Sequence, residues 1–178
     1  MKEYEHTSPW PISLKWGIIA GVAGIITSVI KSLGIDYSSV ESMMETQSVW
    51  SNYLEYIPLV AAIVLAQAEH RTRELGGYMS YGRAVGIGCI VTLLFSLFLV
   101  LYNYLHLTVL HPEAHRAIQD LAIQRAGDVP PEQEEAVISM TRKMTAPGVL
   151  SMFVFMAYAF TGVILSIITS LFTRKNEA

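Results

Sequence analysis

Glu69-His70-Arg71-Thr72-Arg73-Glu74-Leu75-Gly76-Gly77-Tyr78-Met79-Ser80-Tyr81-Gly82-Arg83 is a short polar break between two long apolar runs, and it decides how the rest of the chain is read. Three arginines, a histidine and a Gly-Gly pair stand in fifteen residues. Arginine-rich short loops between membrane spans stay in the cytoplasm, so the stretch orients the chain on both sides of it. Working outward, Ala84 to Leu110 holds no Asp, Glu, Lys or Arg, and neither does Pro147 to Thr173. Each of these runs is 27 residues long, and about 20 apolar residues cross a hydrocarbon core of about 30 Å.

The composition agrees with that reading. Of 178 residues, 52% are hydrophobic and only 15% charged, against about 25% charged in a soluble globular domain. The net charge of −3 excludes an electrostatic nucleic-acid binder. Cys89 is the single cysteine and lies inside an apolar run, so it forms no intramolecular disulfide and serves as a small buried residue. The first apolar run is read as an uncleaved span, because Glu3 and Glu5 precede it and no clean small-x-small cleavage site follows.

The expected fold class is an all-α integral membrane protein, residues 1–178 forming a single membrane domain. Its four spans are placed at about 14–33, 52–68, 84–107 and 147–172, with a small extracytoplasmic helical hairpin between spans 3 and 4, at about 111–146. Trp10 and Trp16 beside Lys15 anchor the first span at its cytoplasmic end, and Trp50, Tyr53 and Tyr56 mark the opposite interface. Ser38 followed by Glu41 matches a capping box for a short surface helix. The second span is the weakest, since Glu55 and Pro58 leave Ile57 to Ala66 as its continuous apolar part. Tyr102 and Tyr104 anchor the third span, which Pro112 stops or bends. In the hairpin, Ile118, Leu121 and Ala122 line one helix and Val137, Met140 and Met144 the other, about a turn at Gly127–Pro130. Acids begin the second hairpin helix and Arg142 and Lys143 end it, which suits the helix dipole.

Small residues recur at helical spacing in two spans: Gly17, Gly21, Gly24 and Ser28 in the first, and Gly162, Ser166 and Ser170 in the fourth. Such stripes are candidate helix-packing faces, and Gly82-x-x-x-Gly86 is read the same way. Orientation follows from the basic residues. Both termini are expected in the cytoplasm, whose segments then hold Lys2, Lys15, Arg71, Arg73, Arg83, Arg174 and Lys175. The first outer connection holds none.

The run Glu74-Leu-Gly-Gly-Tyr-Met-Ser-Tyr-Gly-Arg-Ala84, leading into a glycine-rich span, resembles an uncharacterised family of bacterial four-span membrane proteins, domain of unknown function 4199. The second matching region is Pro131-Glu-Gln-Glu-Glu-Ala136, followed by Met144-Thr-Ala-Pro-Gly148 at the start of the last span. The resemblance extends from about Lys15 to Lys175. It implies the four-span plan and a bacterial inner-membrane location, and it transfers no catalytic or binding residue.

Two constellations could carry chemistry. Lys31 and Glu55 are the ionisable residues nearest to hydrocarbon, at the outer ends of consecutive antiparallel spans, and form a candidate intramembrane ion pair; the alternative is that each snorkels to the interface. His111 and His115, four apart with Glu113 between them and His106 just before, could share a face and bind a metal, but no third ligand is fixed, and a solvated histidine cluster is preferred. No P-loop, nucleophile elbow or dinucleotide fingerprint is present. The expectation is therefore no catalytic residues, no cofactor and no metal. The expected partners are the lipid bilayer and other membrane-protein subunits or a second copy, with no nucleic acid. The leading function is a structural or accessory subunit of a membrane complex, and the alternative is a small transporter or channel subunit using Lys31 and Glu55. The discriminating feature is whether that pair faces a cavity in the bundle or the lipid headgroups.

Overall fold

The computed structural model describes residues 7–46, 51–126 and 131–175. Trp50 and the Gly127–Pro130 turn lie outside the described residues. The described residues are mostly helical: α1 (Trp10–Ser32), α2 (Val40–Thr46), α3 (Ser51–Leu54), α4 (Tyr56–Arg73), α5 (Tyr81–Leu105), a π-helical turn (His106–Leu110), α6 (Pro112–Arg125), α7 (Pro131–Met144) and α8 (Pro147–Thr173). Among the described residues the only extended pairing is an isolated antiparallel bridge between Met79 and Lys175.

Among the described residues three helical stretches are long and apolar enough to cross a membrane: Trp10–Ser32, Tyr81–Leu110 and Pro147–Thr173. The helix α4 is not among them. Its 18 residues include Gln67, Glu69, His70, Arg71 and Arg73, which lower its mean hydropathy. It nevertheless belongs to the same bundle. The helix α5 stands at the centre and packs on α1, α4 and α8, while α4 also touches α1 and α8.

The interior is built from two rows on α5. Ile87, Val91, Phe95 and Leu99 recur every four residues and are buried with Leu59, Ala62, Ile63 and Ala66 of α4. Beside them runs a row of small residues, Ala84, Gly88, Thr92 and Ser96, also buried. The α1 glycines receive the large side chains: a Cβ on Gly17 would lie 2.6 Å from Leu94, on Gly21 2.5 Å from Phe98, and on Gly24 2.6 Å from Phe95. On the other side, small meets small, with Gly162 against Thr92 and Ser166 against Gly88. Gly82 and Gly86 behave differently from their expected packing role, since a Cβ on either meets nothing within 4 Å. They occupy the outward side of α5's first turns.

Polarity is arranged for an apolar solvent. Ser13, Ser28, Gln67, Thr92, Ser96, Ser166 and Ser170 are buried, whereas Ile18, Ile26 and Ile30 of α1 and Phe153, Phe160, Ile168 and Phe172 of α8 are exposed. In lipid there is no hydrophobic drive between helices, so close contact through small and hydrogen-bonding residues holds them together.

Several boundaries differ from the sequence reading. The α4 helix continues to Arg73, through the first third of the quoted polar stretch, because cationic side chains suit a helix C-terminus. The reversal comes at Gly76 and Gly77, whose φ values of +60° and +98° lie in the left-handed region that favours glycine. Towards α2, the cap is Ser39 instead of Ser38: its Oγ accepts the Ser42 amide at 3.0 Å, and Glu41 takes no part in it. At the end of α5 the helix loosens into the π turn, with the His111 amide donating to the His106 carbonyl at 2.7 Å, and Pro112 then starts α6. The two helices after it, α6 and α7, pack on each other, and α2 rests on α6.

Gly21→Leu should drive α1 away from Phe98 and cost about 1–3 kcal/mol, read as a lowered melting temperature in detergent. Gly86→Ala, with open space around it, should be neutral or stabilising by up to about 1 kcal/mol.

Candidate functional site

The last turn of α1 and the residue that precedes α4 come together at the bundle end opposite the Gly76-Gly77 turn. Ser28 and Lys31 are three apart on α1 and so share a face. Lys31 Nζ lies 2.7 Å from Glu55 Oε1, and the Ser28 hydroxyl donates to the same oxygen at 2.9 Å. The other carboxylate oxygen accepts the Tyr158 hydroxyl of α8. Glu55 is 6% exposed and the Lys31 side chain 12%, which makes this a buried, hydrogen-bonded ion pair tying three helices together.

The pair faces a cavity of about 540 Å³. Tyr37, Tyr53, Tyr56, Leu99, Tyr102, Asn103, His106 and Tyr158 contribute to its walls. The Tyr56 and Tyr158 rings are tilted against each other at 5.5 Å, and Phe95 meets Tyr158 edge-on at 5.5 Å. Asn103 Oδ1 accepts the Ser151 hydroxyl at 3.0 Å. His106 Nδ1 is buried and makes no hydrogen bond.

The mouth of the cavity is closed in part by an aromatic stack. Tyr37 stacks on His111 at 4.2 Å and meets His106 edge-on at 5.3 Å. His111 Nδ1 is 2.8 Å from Glu113. The Glu113 carboxyl titrates lower than an ordinary glutamate because its own backbone amide, then His111, hydrogen-bond its ionised form. Burial raises the Tyr37 phenol above its usual range. His115 does not join this group: its Nε2 lies 3.0 Å from the Thr145 carbonyl oxygen, linking α6 to the junction of α7 and α8. Among the described residues no three His, Cys, Asp or Glu side chains are grouped to hold a metal ion.

At the opposite end, the quoted stretch acts as a clamp. His70 is fully buried, with Nδ1 2.8 Å from Glu74, and Arg83 Nε donates to its Nε2 at 3.1 Å. The Arg83 guanidinium also bonds the Thr7 carbonyl, and Arg71 donates to the Thr173 carbonyl at 2.7 Å. Glu69 gathers Lys15 at 2.7 Å, Trp16 Nε1 at 2.7 Å and Arg73 at 3.0 Å. One turn deeper, Gln67 Nε2 donates to Ala84 O and Ser170 Oγ, both at 3.0 Å, and Thr173 donates to Gln67 Oε1 at 2.9 Å. Of the small-residue stripes, Gly17, Gly21, Gly24 and Ser28 are buried on α1, and Gly162, Ser166 and Ser170 on α8.

Sequence reasoning missed Tyr158, Asn103, Gln67 and Glu69 as site members. Ser28 had a signal, its one-turn spacing from Lys31. Tyr158 had none, because the rotation of α8 relative to α4 is not written in either helix alone.

Three helices long and apolar enough to cross a bilayer, with polar side chains turned inward, point to a helical membrane protein. A family profile described as protein of unknown function (DUF4199) matches residues 15–175, and the chain belongs to that family. Searches of curated proteins and of solved structures give no match.

Lys31→Met should destabilise the bundle by about 3–5 kcal/mol, because it leaves a buried carboxylate without its cation. The double change Lys31→Met with Glu55→Gln removes both charges and should cost much less. Melting of the three proteins in the same detergent checks the order, and purely additive effects would contradict a coupled pair.

Proposed function

We propose that the chain is a four-span bacterial inner-membrane protein with both termini cytoplasmic, and that its cavity at the Lys31–Glu55 pair is a solute-binding vestibule of a small transporter or channel subunit. The observation that carries this reading is the pair itself, which is buried in the bundle and lines a cavity. A buried ion pair is weak evidence for stability alone, and intramembrane ionisable residues by default mark function. The role is binding, not catalysis: the Glu55 oxygens are already occupied by three donors, which leaves no unengaged general base there.

The helix α4 serves as the second span. Its 18 residues rise about 27 Å, close to a hydrocarbon core of about 30 Å, and it is enclosed by α1, α5 and α8. The basic residues of the clamp sit at one end of the bundle, and the connection carrying α2 has none, which favours the clamp end as cytoplasmic. On this arrangement α6 and α7 form an extracytoplasmic lobe beside the cavity mouth.

A second reading, an accessory subunit of a membrane complex, is favoured by one feature. Met140 and Met144 on α7 and Met44 on α2 are exposed, and methionine-rich surfaces suit adaptable protein contacts.

Single cysteines in a Cys89→Ala background, probed with a membrane-impermeant thiol reagent in right-side-out and inside-out vesicles, test the reading. Tyr37→Cys and Gln119→Cys should label in right-side-out vesicles and Glu74→Cys only in inside-out ones. Labelling of Glu74→Cys but not Gln119→Cys from the outside would overturn the topology. Replacing residues 117–143 with a Gly/Ser linker should leave the bundle inserted, and loss of a co-purifying subunit on that change would favour the accessory role.

A further inference from the structure

The hydrogen-bonding capacity left over in the cavity names a ligand class, an inference that rests on the vestibule reading above. Glu55 accepts from Lys31, Ser28 and Tyr158, so both of its oxygens are engaged. Lys31 makes one hydrogen bond, to Glu55, while an ammonium carries three donors. The surplus of the ion pair is therefore on the donor side, directed where the cavity lies.

The neighbouring wall has the same bias. Asn103 has its Oδ1 occupied by Ser151, so what it offers the cavity is its amide hydrogens. His106 lines the same space with an unused buried Nδ1, which is a donor in one of its neutral tautomers and in its charged form. The Tyr102 hydroxyl, buried and without a hydrogen-bond partner, adds a further polar group, and the rings of Tyr56 and Tyr102 with Leu99 supply aromatic and aliphatic surface. A volume of about 540 Å³ falls within the range of small-ligand pockets.

We infer that the cavity binds an amphipathic monocarboxylate, its carboxylate on Lys31, Asn103 and His106 and its apolar body against the tyrosines. A cation fits less well. It would meet the Lys31 charge and find the only carboxylate already engaged by three donors. The Tyr56 and Tyr158 rings also pack tilted on each other at 5.5 Å instead of standing apart as the open faces of a cation cage. The same carboxylate chemistry occurs on a soluble acid arriving from solution and on a fatty acid arriving through the bilayer, and the probes separate the two.

The full-length protein in phosphatidylcholine nanodiscs is titrated with phenylacetate, phenylacetamide, phenethylamine and laurate, following equilibrium binding calorimetrically. Phenylacetate or laurate should bind at least about ten-fold tighter than phenylacetamide, a difference of about 1.4 kcal/mol, and phenethylamine should bind weakest. Preference for phenylacetate identifies a solution-borne acid and preference for laurate a lipid-borne one. Asn103→Ala, which leaves the ion pair in place, should weaken the carboxylate several-fold with little change for the amide. The Lys31→Met, Glu55→Gln double variant should erase the preference. Equal binding of acid and amide, tighter binding of the amine, or an unchanged preference in both variants overturns the carboxylate assignment while leaving the vestibule standing. Failure of all four probes to bind overturns the vestibule as well.

Discussion

Close approach of α1 and α8 to α5 is the constraint on which the rest of the structure depends. In an apolar solvent a helix gains nothing by hiding a leucine, and association has to come from contact and hydrogen bonding at short range. Here the large side chains Phe95, Phe98 and Leu94 of α5 occupy the space left by three α1 glycines. On the opposite side α5 presents Gly88 and Thr92 to Ser166 and Gly162 of α8. The outer faces of α1 and α8 are left to isoleucine and phenylalanine.

That packing makes the polar constellations possible. With the helices held close, Gln67 can join α4 to α5 and α8 at once, using Ala84, Ser170 and Thr173 as partners. Buried amides are costly unless satisfied, and this one has both ends satisfied. The clamp at the same end closes the bundle with charge, linking the N-terminal segment, the 74–80 turn and the end of α8. At the other end α3 and the π turn interrupt the long helices, and a cavity lies beside the Lys31–Glu55 pair. π-Helical turns recur at functional sites, and this one carries His106 in the cavity wall.

Much of the fold was legible because bilayer crossing is a one-dimensional property. The three long apolar helices α1, α5 and α8 follow from uninterrupted apolar length, and the reversal between α4 and α5 from Gly76-Gly77, the pair that can take positive φ. The Lys31–Glu55 encounter was also accessible, since two consecutive antiparallel helices of known ends bring their outer ends together. The reading was weakest where polarity was ambiguous. Glu69 to Arg73 looked like a solvated loop and forms the last turns of α4. His70, for which the sequence offered no signal of burial, is fully buried between Glu74 and Arg83.

The sequence by itself determined that this is a helical membrane chain of its family, where its apolar helices lie, and which of their residues are small enough to be approached. Hydropathy and residue size are local quantities, and a helix's periodicity carries them into a face. Only the tertiary structure decided which faces meet. The rotation of α8 brings Tyr158 onto Glu55 and Ser170 onto Gln67, and the packing leaves a cavity lined by Lys31. Those outcomes depend on the packing of four helices at once around α5, and no single stretch of sequence contains it.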